Sequence, residues 1–132
     1  MFYCILCYNL ESEIEAWTRE KEAAVMAKRD AVTQKLAAEA RLGPVGRLMP
    51  TTTAMTVRAS REPLVLDGPF AETKEQLLGF YLVDCKSLQD ALEVARSLVG
   101  DTGALEVRPL ATFYPGLGLQ SPLGTSPPPR FQ

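Results

Sequence analysis

Two stretches of this chain, residues 2–8 and 79–83, are apolar at successive positions rather than at alternate ones. Neighbouring side chains on a strand point to opposite faces, so an unbroken apolar run describes a strand buried on both sides. The rest of the pattern supplies cover for only one of those sides. The first strand spans residues 2–9, and Ser12-Glu13-Ile14-Glu15 then has the serine-to-glutamate spacing of a capping box. A long helical segment follows, with Ile14, Trp17, Val25, Val32 and Leu36 on a rough stripe that falters near residues 19–22, where a break in the helix is expected, until Gly43-Pro44 stops it. Residues 48–59 read as a half-buried strand rich in threonine and valine, with Pro50 at its entrance, and residues 63–66 as a short strand. Residues 77–85 form the strongest strand signal. Ser87 to Asp90 repeats the capping pattern, and Leu88, Ala91, Leu92, Ala95 and Leu98 keep helical spacing up to Gly100. Residues 104–110 close the fold as a final strand.

The order β-α-β-(β)-β-α-β predicts an α+β domain, a ferredoxin-like split βαβ sheet with its two main helices on one face. Two helices leave the second face of a four- or five-stranded sheet as an exposed apolar patch, and a second copy across a two-fold axis is the simplest cover. The expectation is a homodimer, a dimeric α+β barrel, with a tail folded over the face as the rival. The domain is expected to span residues 1–112. Residues 113–132 form a Pro/Gly-rich extended or disordered end, since residues 114–132 hold half of the ten prolines. Within it, Ser126-Pro127-Pro128-Pro129-Arg130 has the makings of a polyproline recognition segment, against the reading of a plain unstructured end.

At 132 residues the chain is one ordinary domain, and 46% apolar with 23% charged residues is globular composition. A formal charge of −2 offers nothing to attract nucleic acid. Lys21, Lys28, Arg29, Lys35 and Arg41 alternate with Glu20, Glu22, Asp30 and Glu39, which reads as a solvated helix face. No run approaches a membrane span and no basic signal head opens the chain, so no membrane partner is expected. Three cysteines cannot all pair within one chain, which makes a reduced, cytoplasmic protein the default. Cys4-Ile5-Leu6-Cys7 has C-x-x-C spacing, but on a strand residues three apart face opposite ways and there is no histidine to complete a tetrahedral set. These are expected to be core cysteines; no metal and no cofactor are expected.

The candidate site is Asp67-Gly68-Pro69-Phe70, which follows the short apolar run Leu64-Val65-Leu66. Glycine tolerates the positive φ of a tight turn and proline stiffens the corner, which places a carboxylate on a rigid loop beside a sheet. Either Asp67 is a catalytic candidate or it hydrogen-bonds its own turn.

These residues resemble the YCII-related superfamily, specifically its DGPF-domain branch. The resemblance rests on Asp67-Gly68-Pro69-Phe70-Ala71-Glu72-Thr73-Lys74-Glu75-Gln76-Leu77, on Gly79-Phe80-Tyr81-Leu82-Val83-Asp84 and on Glu106-Val107-Arg108-Pro109-Leu110. Looser support comes from the first strand and from residues 52–58, so that it covers residues 1–110. It implies a dimeric α+β barrel and a family whose molecular function is mostly unestablished. Many members are encoded beside extracytoplasmic-function sigma factors, and a few YCII relatives are small cofactor-free enzymes acting on chlorinated or hydroxylated aromatics. Members commonly carry a histidine on the first helix, facing the acidic residue of the turn. Aligning residues 23–31 puts Arg29 in that slot, and arginine cannot exchange a proton near neutral pH.

Two functions follow from these residues. The first is a non-catalytic ligand-binding or regulatory dimer, associated with a sigma factor as the resemblance suggests. The alternative is a small cofactor-free enzyme, of lyase, isomerase or dehydrochlorinase type, with Asp67 as base or anchor. Arg29 then binds an anionic group of a small anionic or aromatic substrate and Tyr81 supplies a hydroxyl. Arg108 and Glu72 complete a polar pocket, unless an arginine–carboxylate pair simply ties strand to turn.

Overall fold

A computed structural model describes residues 1–116. Six strands and three helices run in the order β1 (Phe2–Asn9), α1 (Glu11–Glu15), α2 (Arg19–Ala38), β2 (Leu42–Arg47), β3 (Met55–Arg58), β4 (Leu64–Asp67), β5 (Gln76–Asp84), α3 (Leu88–Leu98) and β6 (Ala104–Pro109). Four strands make one antiparallel sheet in the order β2-β5-β1-β6, and β3 and β4 form a separate two-stranded ribbon. Consecutive helix-linked strands are therefore split by another strand, the ferredoxin-like arrangement.

The core lies between the sheet and the helices. Tyr3, Ile5 and Cys7 of β1 and Tyr81 and Val83 of β5 pack with Leu36 of α2 and Ala91, Val94, Ala95 and Leu98 of α3. Their alternate neighbours Phe2, Cys4, Leu6, Tyr8, Phe80 and Leu82 lie on the opposite face and stay half-buried. Both main helices thus cover one face. Phe113 stacks on Phe2 with ring centroids 4.3 Å apart, which shields one corner of the other face. Cys7 is buried and Cys4 lies on the opposite face; both are free thiols, as is Cys85.

Four local expectations differ from the structure. The serine of the expected capping box is inside α1, whose N-cap is Leu10 with no side-chain bond, while Thr18 caps α2 by accepting from the Lys21 N–H. The helical break falls at residues 16–18, just before the faltering stripe. Gly43-Pro44 does not stop the helix: α2 ends at Ala38, Ala40 takes φ of 55°, and Gly43 and Pro44 already belong to edge strand β2. An edge position tolerates proline because one side of its backbone has no ladder to serve. Residues 48–59 are not one strand but a 3₁₀ turn, Thr51–Thr53, followed by the four residues of β3. The polyproline segment at residues 126–130 lies outside the described residues.

Candidate functional site

Asp67 is the last residue of β4, and Gly68 after it takes φ of 96°, the left-handed region that glycine enters without a Cβ penalty. Backbone and hydroxyl bonds close this turn: the Gly68 N–H donates to the Ala54 carbonyl at 2.8 Å and the Thr56 hydroxyl to the Gly68 carbonyl at 2.8 Å. Asp67 borders a cavity of about 530 Å³ together with Glu72, Thr51, Thr52, Thr73 and Gln76. A second cavity of about 450 Å³ shares Thr51, Pro69, Thr73 and Gln76 with it and continues over Tyr8, Leu48, Met49, Phe70 and Leu77. Since Tyr8 stands on the sheet face away from the helices, the acidic corner opens onto the half-covered side of the sheet.

Thr51 and Gln76, which line this cleft, are held by Glu11, a residue not expected at the site. The Glu11 carboxylate accepts from the Thr51 N–H at 2.8 Å and from the Thr51 hydroxyl at 3.0 Å. The Glu11 N–H donates to Gln76 Oε1 at 3.0 Å, and Gln76 Nε2 donates to the Thr73 carbonyl at 2.9 Å. One glutamate at the head of α1 therefore ties the 3₁₀ turn and the start of β5 together. The only sequence trace of this lattice is an acidic residue in the first turn of a helix.

Arg29 lines a different cleft. It borders a cavity of about 250 Å³ with Asn9, Trp17, Lys21, Ala24, Val25, Lys28 and residues 100–102 of the α3–β6 loop. Two lysines hold that loop: Lys28 Nζ donates to the Val99 carbonyl at 2.7 Å, and Lys21 Nζ stands 3.5 Å from the Asp101 carboxylate. The Lys21 ammonium also lies 5.8 Å from the centre of the Trp17 ring. Asn9, at the end of β1, is buried; its amide donates to the Thr102 hydroxyl at 3.1 Å and its oxygen accepts from the Leu10 N–H at 2.8 Å. The helix face read as merely solvated thus carries three cations to the rim of one cavity.

Tyr81 is buried in the core on the helix side of β5. Burial pushes its phenol above the usual range, with the positive charge of Arg29 opposing the shift. Burial likewise pushes the Cys7 thiol up to about 12, again against Arg29. Arg29 therefore reaches the core beneath its cleft electrostatically. Cys4 and Cys85 are also raised, first by burial. Arg108 lies on the other face of the sheet, exposed, and bonds Glu106 of its own strand at 2.6 Å. The five expected site residues thus fall into three places: Asp67 with Glu72, Arg29 above Tyr81, and Arg108 alone on the open face.

The family model of the YCII-related domain matches residues 1–113. The chain is also 55% identical over 120 residues to an uncharacterized protein of Rhizobium meliloti (strain 1021), an alignment that takes in 88% of this chain and 97% of that one.

Proposed function

The chain belongs to the YCII-related family, and from that premise we propose that it is a homodimeric, non-catalytic ligand-binding or regulatory protein. The observation that carries this reading is the β3–β4 ribbon. Met55, Val57, Leu64, Val65 and Leu66 are between 46% and 67% exposed, and they occupy both faces of the ribbon. A two-stranded ribbon is marginal by itself in water, and one that wets five large apolar side chains needs cover. The half-buried face of the main sheet, with Phe2, Leu6, Tyr8, Phe80 and Leu82, asks for the same. A second subunit, sheet against sheet with ribbons reaching across, covers both and walls the Asp67 cleft.

The non-catalytic part is supported by the direction of the pKa shifts. In a chain without histidine, proton transfer near neutral pH falls to a shifted carboxylate, thiol, amine or phenol. The thiols of Cys4, Cys7 and Cys85 and the phenol of Tyr81 are all moved upward, away from neutrality. The enzyme alternative draws on Asp67 and Glu72, two carboxylates on one cavity. Its anionic anchor, Arg29, borders another cleft of the same subunit. The three free thiols suit a reducing cytoplasm. Association with a sigma factor belongs to the same reading and rests on the family resemblance alone.

Sedimentation equilibrium at micromolar concentration tests the dimer: twice the subunit mass is expected, and a single-subunit mass overturns it. Asp67→Asn separates the two functions. A carboxylate base replaced by an amide abolishes turnover of an enzyme, whereas the binding reading expects no turnover to lose and an unchanged dimer.

A further inference from the structure

We propose that the cleft between α2 and the α3–β6 loop is a binding site for a small organic anion, a carboxylate or phosphate group carried on a short apolar body. The inference deepens the ligand-binding reading but does not need the dimer, because every lining residue belongs to one subunit. Lys21, Lys28 and Arg29 meet at a single cavity of about 250 Å³ against one carboxylate, that of Asp101. Its polar lining is rich in donors. The Trp17 indole N–H is buried with no hydrogen-bond partner among the described residues. The Thr102 hydroxyl already accepts from Asn9, which leaves its O–H to donate. Charge-assisted bonds from the guanidinium and ammonium groups would hold an incoming oxyanion, and one that reached the Trp17 N–H would relieve the desolvation penalty of a buried donor without an acceptor. Ala24, Val25 and the Trp17 ring give the apolar wall, and the volume lies just below the usual range for organic ligands, about 300–1,000 Å³. The two lysines that pin the loop through Val99 and Asp101 are the groups an anion would draw inward, so occupancy and loop position are coupled.

Trp17 is the single tryptophan of the chain, so its indole N–H gives one unambiguous proton–nitrogen NMR cross-peak. Three probes are titrated against it: benzoate, its neutral isostere benzamide, and inorganic phosphate. Saturable movement with benzoate, absent with benzamide and weakened by added salt, is the expected result. Movement with phosphate as well assigns the headgroup contact; movement with phosphate but not benzoate removes the organic part of the proposal. Arg29→Ala should weaken benzoate binding by about tenfold or more. Lys28→Ala, at an exposed position, should weaken it severalfold. A cross-peak that neither anion moves at millimolar concentration overturns the site. So does equal movement with benzamide, or wild-type binding in folded Arg29→Ala and Lys28→Ala variants. A monomer that still binds benzoate would refute the dimer and leave this site standing; a dimer blind to both anions would do the reverse.

Discussion

Cys7 shows how one buried side chain adds a pH dependence to the stability of the fold. Its thiol is raised from 9.0 to about 12, first by burial, with Arg29 pulling the other way. A thiol that the fold holds protonated loses its proton more readily once unfolded, so the unfolded state gains stability as pH rises above 9.0. The contribution is complete below that value and is lost progressively towards the folded value. Each unit of pH in that window removes about 1.4 kcal/mol. Tyr81, raised from 10.0, adds to the same alkaline loss once its unfolded phenol begins to ionise. Urea midpoints are therefore expected to hold steady across neutral pH and to fall above about pH 9, and Cys7→Ala should flatten the early part of the fall. A midpoint equally high at about pH 10.5 would contradict the burial of both groups. This much was legible beforehand, because strand periodicity alone puts Cys4 and Cys7 on opposite faces. The position of Arg29 was not. Its slot on α2 followed from the resemblance, but which cavity it borders depends on the α3–β6 loop, far away in sequence.

At the scale of elements, signals that were purely local read correctly and signals shared by two structures did not. Strands β1, β5 and β6 and helix α3 were legible because their apolar spacing admits one interpretation, and Ser87 does cap α3 by accepting from the Asp90 N–H. Strand β2 was hidden by Gly43-Pro44, the standard punctuation of a helix end. The glycines of β2 serve tertiary packing instead: a Cβ on Gly46 would stand 2.7 Å from the Phe80 ring. That need is invisible until β2 is laid beside β5. The capping box at Ser12 failed for a similar reason, since the helix it announced begins at Glu11 and lasts five residues. The working cap is Thr18, which lacks glutamate three residues on but has Glu20 and Glu22 in the first turn. Thr18→Ala is expected to cost about 1 kcal/mol of stability and Ser12→Ala a few tenths at most, as read from paired urea or thermal melts. Equal losses at the two positions would restore the capping box and refute the structure of the α1–α2 corner. Because Trp17 precedes that cap and lines the cationic cleft, Thr18→Ala should also shift the indole resonance.

For the whole molecule, the distinction that matters is between an apolar surface left wet and one shared between copies. The sequence announced one surplus through strands apolar at successive positions, and the structure adds a second exposed apolar surface on the β3–β4 ribbon. Val57 and Val65 face each other across that ribbon, 67% and 64% exposed in the single subunit. Val57→Asp distinguishes the two states because it is harmless in one and costly in the other. On a solvated ribbon the change moves stability by about 0.5 kcal/mol at most, and the mass in solution stays as it was. In an interface of ordinary size the same carboxylate is buried without a partner, and the loss runs to several kcal/mol, or about a hundredfold or more in dimer affinity. The expected result is a folded subunit with an intact α2–α3 core that sediments as a monomer at micromolar concentration. It should also melt lower than wild type, with a melting temperature that no longer depends on protein concentration. Because the cationic cleft is built within one subunit, this monomer should still move its Trp17 cross-peak on adding benzoate. A variant that keeps the dimeric mass, with wild-type melting at every concentration, would place the ribbon outside any interface. The half-buried second face of the main sheet, where Phe113 shields only the corner at Phe2, would then need a cover that does not involve the ribbon.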